Sequence, residues 1–300
     1  MPGVQYRNLF NTRTYYTYPD TEACIEVPGT PSDWSVASDK YKVVSSLSVK
    51  NGKLFLKTVA ASYTKNVVTG EIQDVKSGTG YVYLQNKKTG EKVKVYVIAP
   101  CGKTESRKQT NSAIEYYLYF EKGNYGSKFV EETLCITVYR VDETGYYTIP
   151  YLSFSSACGT TKELTPTGVF TIGSNNVGSY AVSDKRERWH DWGEGSNQYG
   201  QYAITYTDGR FLHAPTTGVG YCSEDAIMAG SHDEVGTHAS SGCLRMQTGA
   251  IYWIWTHCPD GTKLEIRNLN PLGTRIERPE PMADWLGYDP TDPILVNYFK

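Results

Sequence analysis

The 300-residue chain carries 30 basic and 32 acidic residues, for a net charge of -2. This balance argues against a nucleic-acid partner, because phosphate binding needs clustered lysine and arginine. No stretch of 18 or more apolar residues occurs in the sequence, which therefore predicts no membrane span. The length accommodates two domains, and 25 tyrosines, 28 glycines and 14 prolines favour strands joined by turns over helix bundles.

Residues 1–130 carry the pattern of a small all-β module. The stretch "SSLSVKNGKLFLKTV" places Asn51-Gly52 between alternating apolar arms, which predicts a two-residue hairpin. The stretch "TGYVYLQNKKTGEKVKVYVIA" repeats the form with a longer loop that ends at Gly90. This part of the chain concentrates no His, Cys, Asp or Glu in catalytic spacing, so we interpret it as an accessory or binding module.

Residues 131–267 form a second block of predicted strands. Its clearest hairpin is "QYAITYTDGRFLHAP", with a turn at Asp208-Gly209 and His213 near the end of the second arm. A glycine-rich loop is predicted from Thr216 to Ser241, and one helical window follows at Gln247–His257. The remaining residues, 268–300, are a Pro-rich tail that we expect either to wrap the domain or to extend freely.

The stretch "HASSGCLRM" places a single cysteine, Cys243, directly after a glycine. Gly242 allows the backbone to approach a substrate closely. A helix predicted to begin just after Cys243 would favour the thiolate through its dipole. The backbone N–H groups from Ser241 to Cys243 would then point outward and hold a developing oxyanion.

A nucleophilic thiol also needs a base, and five histidines are candidates. His213 lies at a rigid junction between a strand and the Ala214-Pro215 step, whereas His238 lies in the predicted glycine-rich loop. His190 belongs to "RERWHDW", which we predict to be a polar aromatic loop that could line a groove. His257 ends the predicted helix, where pairing with the helix dipole explains it. A rigid element holds a base better, so His213 is predicted within hydrogen-bond reach of the Cys243 sulfur.

Two structural alternatives for Cys243 stay open beside catalysis. Cys222, His232, His238 and Cys243 are together the residue types of a zinc site, although no CxxC or HxxxH pair is present. A disulfide between Cys222 and Cys243 would make both residues structural. The chain has seven scattered cysteines, and an odd number leaves at least one thiol free.

Four stretches resemble the motifs of one family, in order along the chain. "SSGCLRM" resembles the signature of the L,D-transpeptidases, whose catalytic domain is of the YkuD type. "TPTGVFTI" at Thr165 to Ile172, "FLHAP" at Phe211 to Pro215 and "DGTKLEI" at Asp260 to Ile266 match its other motifs. The resemblance covers Leu134 to Arg267. The chain departs from the family at Ser241, where members often have His, and at Ala214, where they often have Ser or Gly.

The resemblance implies a mostly β fold, in which the N-terminal module precedes an L,D-transpeptidase-like β-sandwich catalytic domain with one main helix after the nucleophile. It implies an exported cell-wall enzyme without metal or cofactor, which acts on peptidoglycan stem peptides and is open to carbapenem-type inhibitors. Cys243 would form a thioester with a donor tetrapeptide and release D-alanine, and an amine of a second stem would complete a 3→3 cross-link. His213 would act as the base.

Further residues are implied as oxyanion or substrate contacts, and these are Ser241, Gly242, Arg245, Ala214 and His238. A backbone carbonyl must orient the His213 ring, since Ala214 offers no side-chain acceptor. Arg245 would contact a carboxylate or brace the loop. With water as the acceptor the same protein would be an L,D-carboxypeptidase, and a non-catalytic wall-binding protein is the other alternative.

Overall fold

The computed structural model describes residues 5–7, 14–123, 125, 134–162, 164–173, 186–192, 197–218, 220, 222–268 and 271–295. The chain divides into two compact units that interleave along the sequence. The first comprises Met1–Thr110, Thr137–Ser153 and Asn270–Ile276, and the second comprises Asn111–Ile136, Phe154–Leu269 and Glu277–Lys300. The predicted domain boundaries, at 1–130, 131–267 and 268–300, stay a prediction.

The first unit is built from short strands in small sheets. Its first ten strands are β1 (Gln5–Arg7), β2 (Thr14–Thr17), β3 (Glu22–Ile25), β4 (Trp34–Ser38), β5 (Val44–Lys50), β6 (Lys53–Thr58), β7 (Ser62–Lys65), β8 (Ile72–Ser77), β9 (Gly80–Asn86) and β10 (Lys92–Val97). One sheet has the order β1-β2-β10-β9-β4, a second has β3-β6-β5, and β7 pairs with β8. One-turn 3-10 helices lie at Pro31–Asp33 and Glu105–Arg107.

Both hairpins predicted for the N-terminal module are confirmed. Asn51 and Gly52 have φ angles of 50° and 71°, which is the left-handed pair that a two-residue hairpin between β5 and β6 requires. β9 and β10 pair antiparallel and are joined through Gly90. Along β9 the side chains alternate between buried and half-buried, so that one face packs into the core with the apolar residues of β10. This alternation makes the module all-β, as predicted.

The second half of the chain continues with strands and adds two helices among the described residues. The strands are β11 (Tyr116–Glu121), β12 (Cys135–Val141), β13 (Tyr147–Ser155), β14 (Cys158–Gly159), β15 (Gly168–Thr171), β16 (Arg186–Asp191), β17 (Tyr199–Thr207), β18 (Arg210–His213), β19 (His238–Ser240), β20 (Leu244–Arg245) and β21 (Lys263–Arg267). The helices are α1 (Ala229–Asp233) and α2 (Thr248–His257). Neither helix is long and apolar enough to cross a membrane.

Two groups of strands position the site in the second unit. A four-stranded sheet has the order β16-β17-β18-β20, with β18 and β20 parallel and the other neighbours antiparallel. β21 pairs with β11 on one side and with β15 on the other. The predominance of strands and the single long helix after Cys243 confirm the predicted fold class.

The structure corrects two predicted loops. The segment "RERWHDW" lies mostly in strand β16, because its backbone pairs antiparallel with β17 from Arg186 to Asp191. The segment from Thr216 to Ser241, predicted to be a glycine-rich loop, contains helix α1 and strand β19. In contrast, the hairpin of β17 and β18 turns at Asp208-Gly209 as predicted, and its second arm ends at His213.

Helix α2 begins five residues after Cys243, so the prediction of a helix just after the cysteine is wrong. Leu244 and Arg245 instead extend as β20, because they pair in parallel with β18. The first turn of α2 is capped from the tail: the Thr248 N–H donates to Asp289 Oδ2 (2.6 Å) and the Gly249 N–H donates to Thr291 Oγ1 (2.9 Å). This part of the Pro-rich tail therefore packs within the second unit.

Candidate active site

The histidine of the motifs ends strand β18, and the cysteine directly precedes the neighbouring strand β20. In the parallel pair of β18 and β20, Leu212 stands opposite Leu244 and His213 stands opposite Arg245. Successive side chains of a strand point to opposite faces of the sheet. Cys243 directly precedes β20 and shares the parity of Arg245, so this alternation places it on the same face as His213.

A glycine turn presents the thiol. Gly242 has a φ of 124°, and a Cβ at this position would come within 2.5 Å of the Leu164 carbonyl oxygen. Both features demand glycine. The Gly242 carbonyl accepts hydrogen bonds from Thr165 Oγ1 (2.9 Å) and from the Tyr206 hydroxyl (2.7 Å). The threonine of the "TPTG" motif therefore braces the turn that carries the cysteine.

Ser240 closes the same turn from the other side. Its hydroxyl donates to the Cys243 carbonyl (2.7 Å) and accepts from the Gly242 N–H (3.0 Å). The Gly242 amide is thus already engaged, and the prediction that it points outward to an oxyanion is wrong. The amides of Ser241 and Cys243 remain as candidates for the predicted oxyanion contact, and Ser241 is exposed.

Burial keeps the resting Cys243 thiol protonated. The side chain is 9% exposed and packs with Ala203 and Phe211. This desolvation raises the pKa of the Cys243 thiol, while the Phe211 backbone amide and the positive charges of Arg245 and Arg210 act to lower it. Since β20 and not a helix follows the cysteine, the predicted stabilisation of the thiolate by a helix dipole is wrong.

His213 is buried and neutral. Its Nδ1 donates to the carbonyl oxygen of Ala214 over 2.6 Å, so a backbone carbonyl orients the ring, as predicted. Burial, helped by Arg245 and His190 and opposed by the Ala214 carbonyl, lowers the pKa of His213 to about 3. With Nδ1 carrying the hydrogen, Nε2 keeps the lone pair that a base needs.

Two nitrogens of the Arg245 guanidinium, Nη1 and Nε, differ in their hydrogen bonding. Nη1 lies 2.5 Å from Glu234 Oε2, which ties β20 to the end of α1. Nε is buried and has no hydrogen-bond partner within the part of the chain that the structure describes. A buried donor without a partner is costly, and a substrate carboxylate would satisfy it. Both predicted roles of Arg245, bracing and carboxylate contact, are therefore compatible with the geometry.

A cluster of aromatic rings from β16, β18 and the residue after β16 lies beside His213. The ring of Trp192 lies 4.7 Å from that of His213 and 5.0 Å from that of His190. The ring of His190 lies 4.2 Å from that of Phe211, the residue that packs on Cys243. The sequence predicts that His190 could line a groove, but this grouping is not visible in it, because the antiparallel pairing of β16 with β17 brings the rings together.

His238 is held away from the role of base. It lies on β19, opposite Cys158 in β14, and not in the loop predicted for it. Its Nε2 donates to the Lys122 carbonyl (2.9 Å), and its ring lies 4.0 Å from that of Tyr125 at a tilt of 38°. These contacts give His238 a structural role next to the TPTG segment, since Lys122 Nζ also donates to the Thr165 carbonyl.

Neither the zinc site nor the disulfide considered for Cys243 is formed among the described residues. All seven cysteines are free thiols, so no disulfide joins Cys222, which is exposed, to the buried Cys243. Within the described ranges, no group of three or more His, Cys, Asp or Glu side chains could hold a metal ion. The imidazole of His232 instead lies beside Asp233, with 3.2 Å between Nδ1 and Oδ1.

Comparisons with known proteins agree with the motifs. The family model of the YkuD L,D-transpeptidase catalytic domain matches residues 135–266. No curated protein matches the sequence.

Several solved structures are similar to this chain at low identity. An L,D-transpeptidase from Mycobacterium smegmatis is 11% identical, over 84% of this chain and 93% of that chain, with a TM-score of 0.33. One from Mycobacterium tuberculosis H37Rv is 11% identical, over 86% and 95%, with a TM-score of 0.30. A fused Zn-dependent amidase/peptidase/peptidoglycan-binding domain-containing protein from Clostridium acetobutylicum ATCC 824 is 15% identical, over 51% and 52%, with a TM-score of 0.32. The present chain spans about half the length of this last relative.

The matched range contains all four motifs, including Cys243 and His213. It also contains the glycine turn at Gly242 and the TPTG segment that braces this turn. Residues 135–266 are therefore similar to the L,D-transpeptidase (YkuD) catalytic domain, in agreement with the sequence resemblance.

Proposed function

We propose that this protein is a cysteine-dependent L,D-transpeptidase that forms 3→3 cross-links between peptidoglycan stem peptides and releases D-alanine. The observation that supports the proposal is the parallel pairing of β18, which ends at His213, with β20, which directly follows Cys243, inside the range that matches the family. A nucleophile and a base on neighbouring strands, with the base fixed by a third group, is the arrangement of covalent acyl transfer.

In the first half of the reaction, His213 Nε2 takes the proton of the Cys243 thiol, and the sulfur attacks the carbonyl of the donor peptide. The carbon–nitrogen bond to the terminal D-alanine breaks, and the proton passes from His213 to the leaving amine. Both groups start neutral, since burial raises the pKa of the thiol and lowers that of the imidazole. Proton transfer is therefore coupled to attack, and the Phe211 amide with nearby Arg245 supports the negative charge that develops on sulfur.

In the second half, an amine of another stem attacks the thioester carbonyl, the carbon–sulfur bond breaks, and the cross-link forms. Arg245 would hold a carboxylate of the donor peptide through its unpaired Nε. Water in place of the amine would give an L,D-carboxypeptidase, which remains the second candidate because the same thioester serves both outcomes. We place the reaction outside the cell, in the wall, where stem peptides are found.

The proposal is tested by intact-mass spectrometry after incubation with a carbapenem. A stoichiometric adduct that is lost in Cys243→Ala is the expected result, because the strained lactam acylates the same sulfur as the donor peptide. A parallel incubation with a stem tetrapeptide should yield D-alanine and a cross-linked dimer. Absence of both the adduct and D-alanine from the wild-type protein would favour a non-catalytic wall-binding protein, and D-alanine without dimer would favour the carboxypeptidase.

A further inference from the structure

A second histidine with a carboxylate partner lies beside the candidate site. Nδ1 of His190 lies 2.5 Å from Oε2 of Glu187, three residues earlier on β16. A carboxylate oxygen accepts this hydrogen bond, so Nδ1 is the donor, and Nε2 is the nitrogen that Glu187 does not engage. Among the residues that the structure describes, nothing forms a hydrogen bond to that Nε2.

The position of His190 relative to the reacting groups follows from three contacts. Its ring lies 4.2 Å from that of Phe211, which packs on Cys243. Its partner in the antiparallel ladder is Gly200, where a Cβ would come within 3.1 Å of His213 Nδ1. The ring of Trp192 contacts both imidazoles, at 5.0 Å from that of His190 and 4.7 Å from that of His213. The two histidines therefore border one aromatic-lined region next to the thiol.

The two imidazoles differ in access. The side chain of His190 is 15% exposed and that of its partner Glu187 is 23% exposed, whereas His213 as a residue is 2% exposed. A substrate group that arrives from solvent can thus reach His190 more readily than it can reach His213. His213 is therefore buried with the thiol of Cys243, whereas His190 is accessible to an incoming group.

We propose that His190, oriented by Glu187, is the general base for the acceptor amine in the second half of the reaction. The neutral amine attacks the thioester carbonyl, the carbon–sulfur bond breaks, and the proton of the amine nitrogen goes to His190 Nε2. That proton then returns to the Cys243 thiolate, so the resting thiol is restored and no other reactant is consumed. This inference rests on the proposed function, because it requires the thioester.

A carboxylate beside the imidazole suits this role, since it stabilises the imidazolium that forms when the base takes a proton. His213 is less accessible to an incoming amine, because its ring is buried, and burial with Arg245 lowers its pKa to about 3. General base catalysis by a positioned side chain contributes roughly 10²–10⁴-fold. Loss of His190 should therefore fall on transfer to amines and leave formation of the thioester largely intact.

The test compares the two half-reactions in wild type, His190→Gln, Glu187→Gln and the control His257→Gln. His257 ends α2, where its ring stacks on Trp253 at 4.5 Å and its Nδ1 donates to the Trp253 carbonyl. The first half-reaction is followed as the rate of carbapenem adduct formation. The second is followed as transfer from a stem tetrapeptide donor to an alkylamine acceptor, and separately to hydroxylamine, which is largely neutral at the assay pH and needs no base.

We expect His190→Gln to form the adduct at near wild-type rate, to transfer to the alkylamine roughly 10²-fold or more slowly, and to regain transfer with hydroxylamine. Glu187→Gln should show a smaller loss of the same kind, and His257→Gln should match the wild type. Wild-type transfer by His190→Gln, or an equal loss in adduct formation and transfer, would overturn the inference. If the wild-type protein forms neither adduct nor D-alanine, the proposed function fails first and the inference falls with it.

Discussion

Nδ1 of His213 donates a hydrogen bond to the carbonyl oxygen of Ala214, the next residue in the chain. Because the acceptor is part of the main chain, the tautomer of the base does not depend on the side chain that follows it. The departure of Ala214 from the family pattern therefore leaves the orientation of the ring intact. The same contact leaves Nε2 as the atom that can take a proton from sulfur.

The assignment of the base predicts different results for two histidine variants. His213→Gln should slow carbapenem acylation by about 10²–10⁴-fold, because it removes the base and keeps the volume. His238→Gln should lose little rate, since His238 is bound to the Lys122 carbonyl through Nε2. Initial acylation rates from intact mass, read beside a thermal melt of each variant, would distinguish them. A larger loss for His238→Gln would reverse the assignment.

The buried imidazole also predicts a dependence of stability on pH. In the folded protein the pKa of His213 falls to about 3, against an ordinary value of 6.5. As the pH drops below 6.5, the unfolded chain binds a proton that the folded protein does not. The free energy of unfolding should therefore decrease, by at most about 1.4 kcal/mol per pH unit from this group. Above that range the contribution is fully present.

Urea unfolding of the wild type and His213→Gln between pH 7 and pH 5 would measure this effect. Other titrating groups are common to both proteins, so the difference between their stabilities isolates the imidazole. We expect the wild type to lose its stability relative to the variant as the pH falls. A difference that stays constant across the range would show that the pKa of His213 is not lowered in the folded state.

Substitution of Cys243 separates chemistry from packing. Cys243→Ala should abolish D-alanine release, with a loss of at least ~10³-fold, while the fold is retained because only one small, largely buried side chain is shortened. Cys243→Ser should be nearly as inactive, since a hydroxyl is a far weaker nucleophile than a thiolate. Release of D-alanine from a tetrapeptide is the assay. Substantial release by Cys243→Ala would place the nucleophile elsewhere, and unfolding at room temperature would make the thiol structural.

The sequence predicted the hairpins and the position of His213 because these depend on local chemistry. Asn51-Gly52 and Asp208-Gly209 set their turns through residues that tolerate left-handed backbone, and the alternating arms need no distant partner. The order of the four motifs, likewise, is a property of the chain alone. Strand β16 was missed because its polar sequence lacks an apolar alternation, and only pairing with β17 holds it extended.

The start of α2, close to the site, was also mispredicted because it depends on long-range strand pairing. The helix after Cys243 was predicted correctly, but strand β20 separates the cysteine from the start of the helix. Leu244 and Arg245 form this strand because they pair with a strand more than thirty residues earlier. The Glu187–His190 pair was missed for a similar reason. Nothing in "RERWHDW" reveals that its histidine meets Phe211, since that contact is made across two strands of the sheet. Long-range pairing is what the local pattern does not contain.

The glycine turn predicts a strong effect for Gly242→Ala. A Cβ there would lie 2.5 Å from the Leu164 carbonyl oxygen in a backbone with φ of 124°, so the turn must move. We expect a loss of about 1–3 kcal/mol in stability and of most activity. Gly209→Ala is the matched control, because its φ is also positive but nothing lies within 4 Å of the added carbon. Equal melting temperatures and activities for the two variants would contradict the proposed packing of the turn.

The tail contact predicts that Asp289 stabilises the second unit from outside the motifs. Its buried carboxylate accepts the Thr248 N–H at 2.6 Å and the Thr291 N–H and hydroxyl at 2.8 and 2.7 Å. Asp289→Ala should lower the free energy of unfolding by about 1–3 kcal/mol, because it leaves buried donors of α2 and of the tail without acceptors. Asp289→Asn keeps one acceptor oxygen and should lose less, while Asp284→Ala, an exposed position in the same tail, should melt like the wild type. Thermal and urea melts would rank the three variants.

Because Asp289 caps the helix and touches none of the reacting groups, carbapenem acylation by Asp289→Ala should persist well below its melting temperature. If Asp289→Ala melts with Asp284→Ala, the tail does not cap α2 in solution, and the start of the helix must be fixed by its connection to β20 alone.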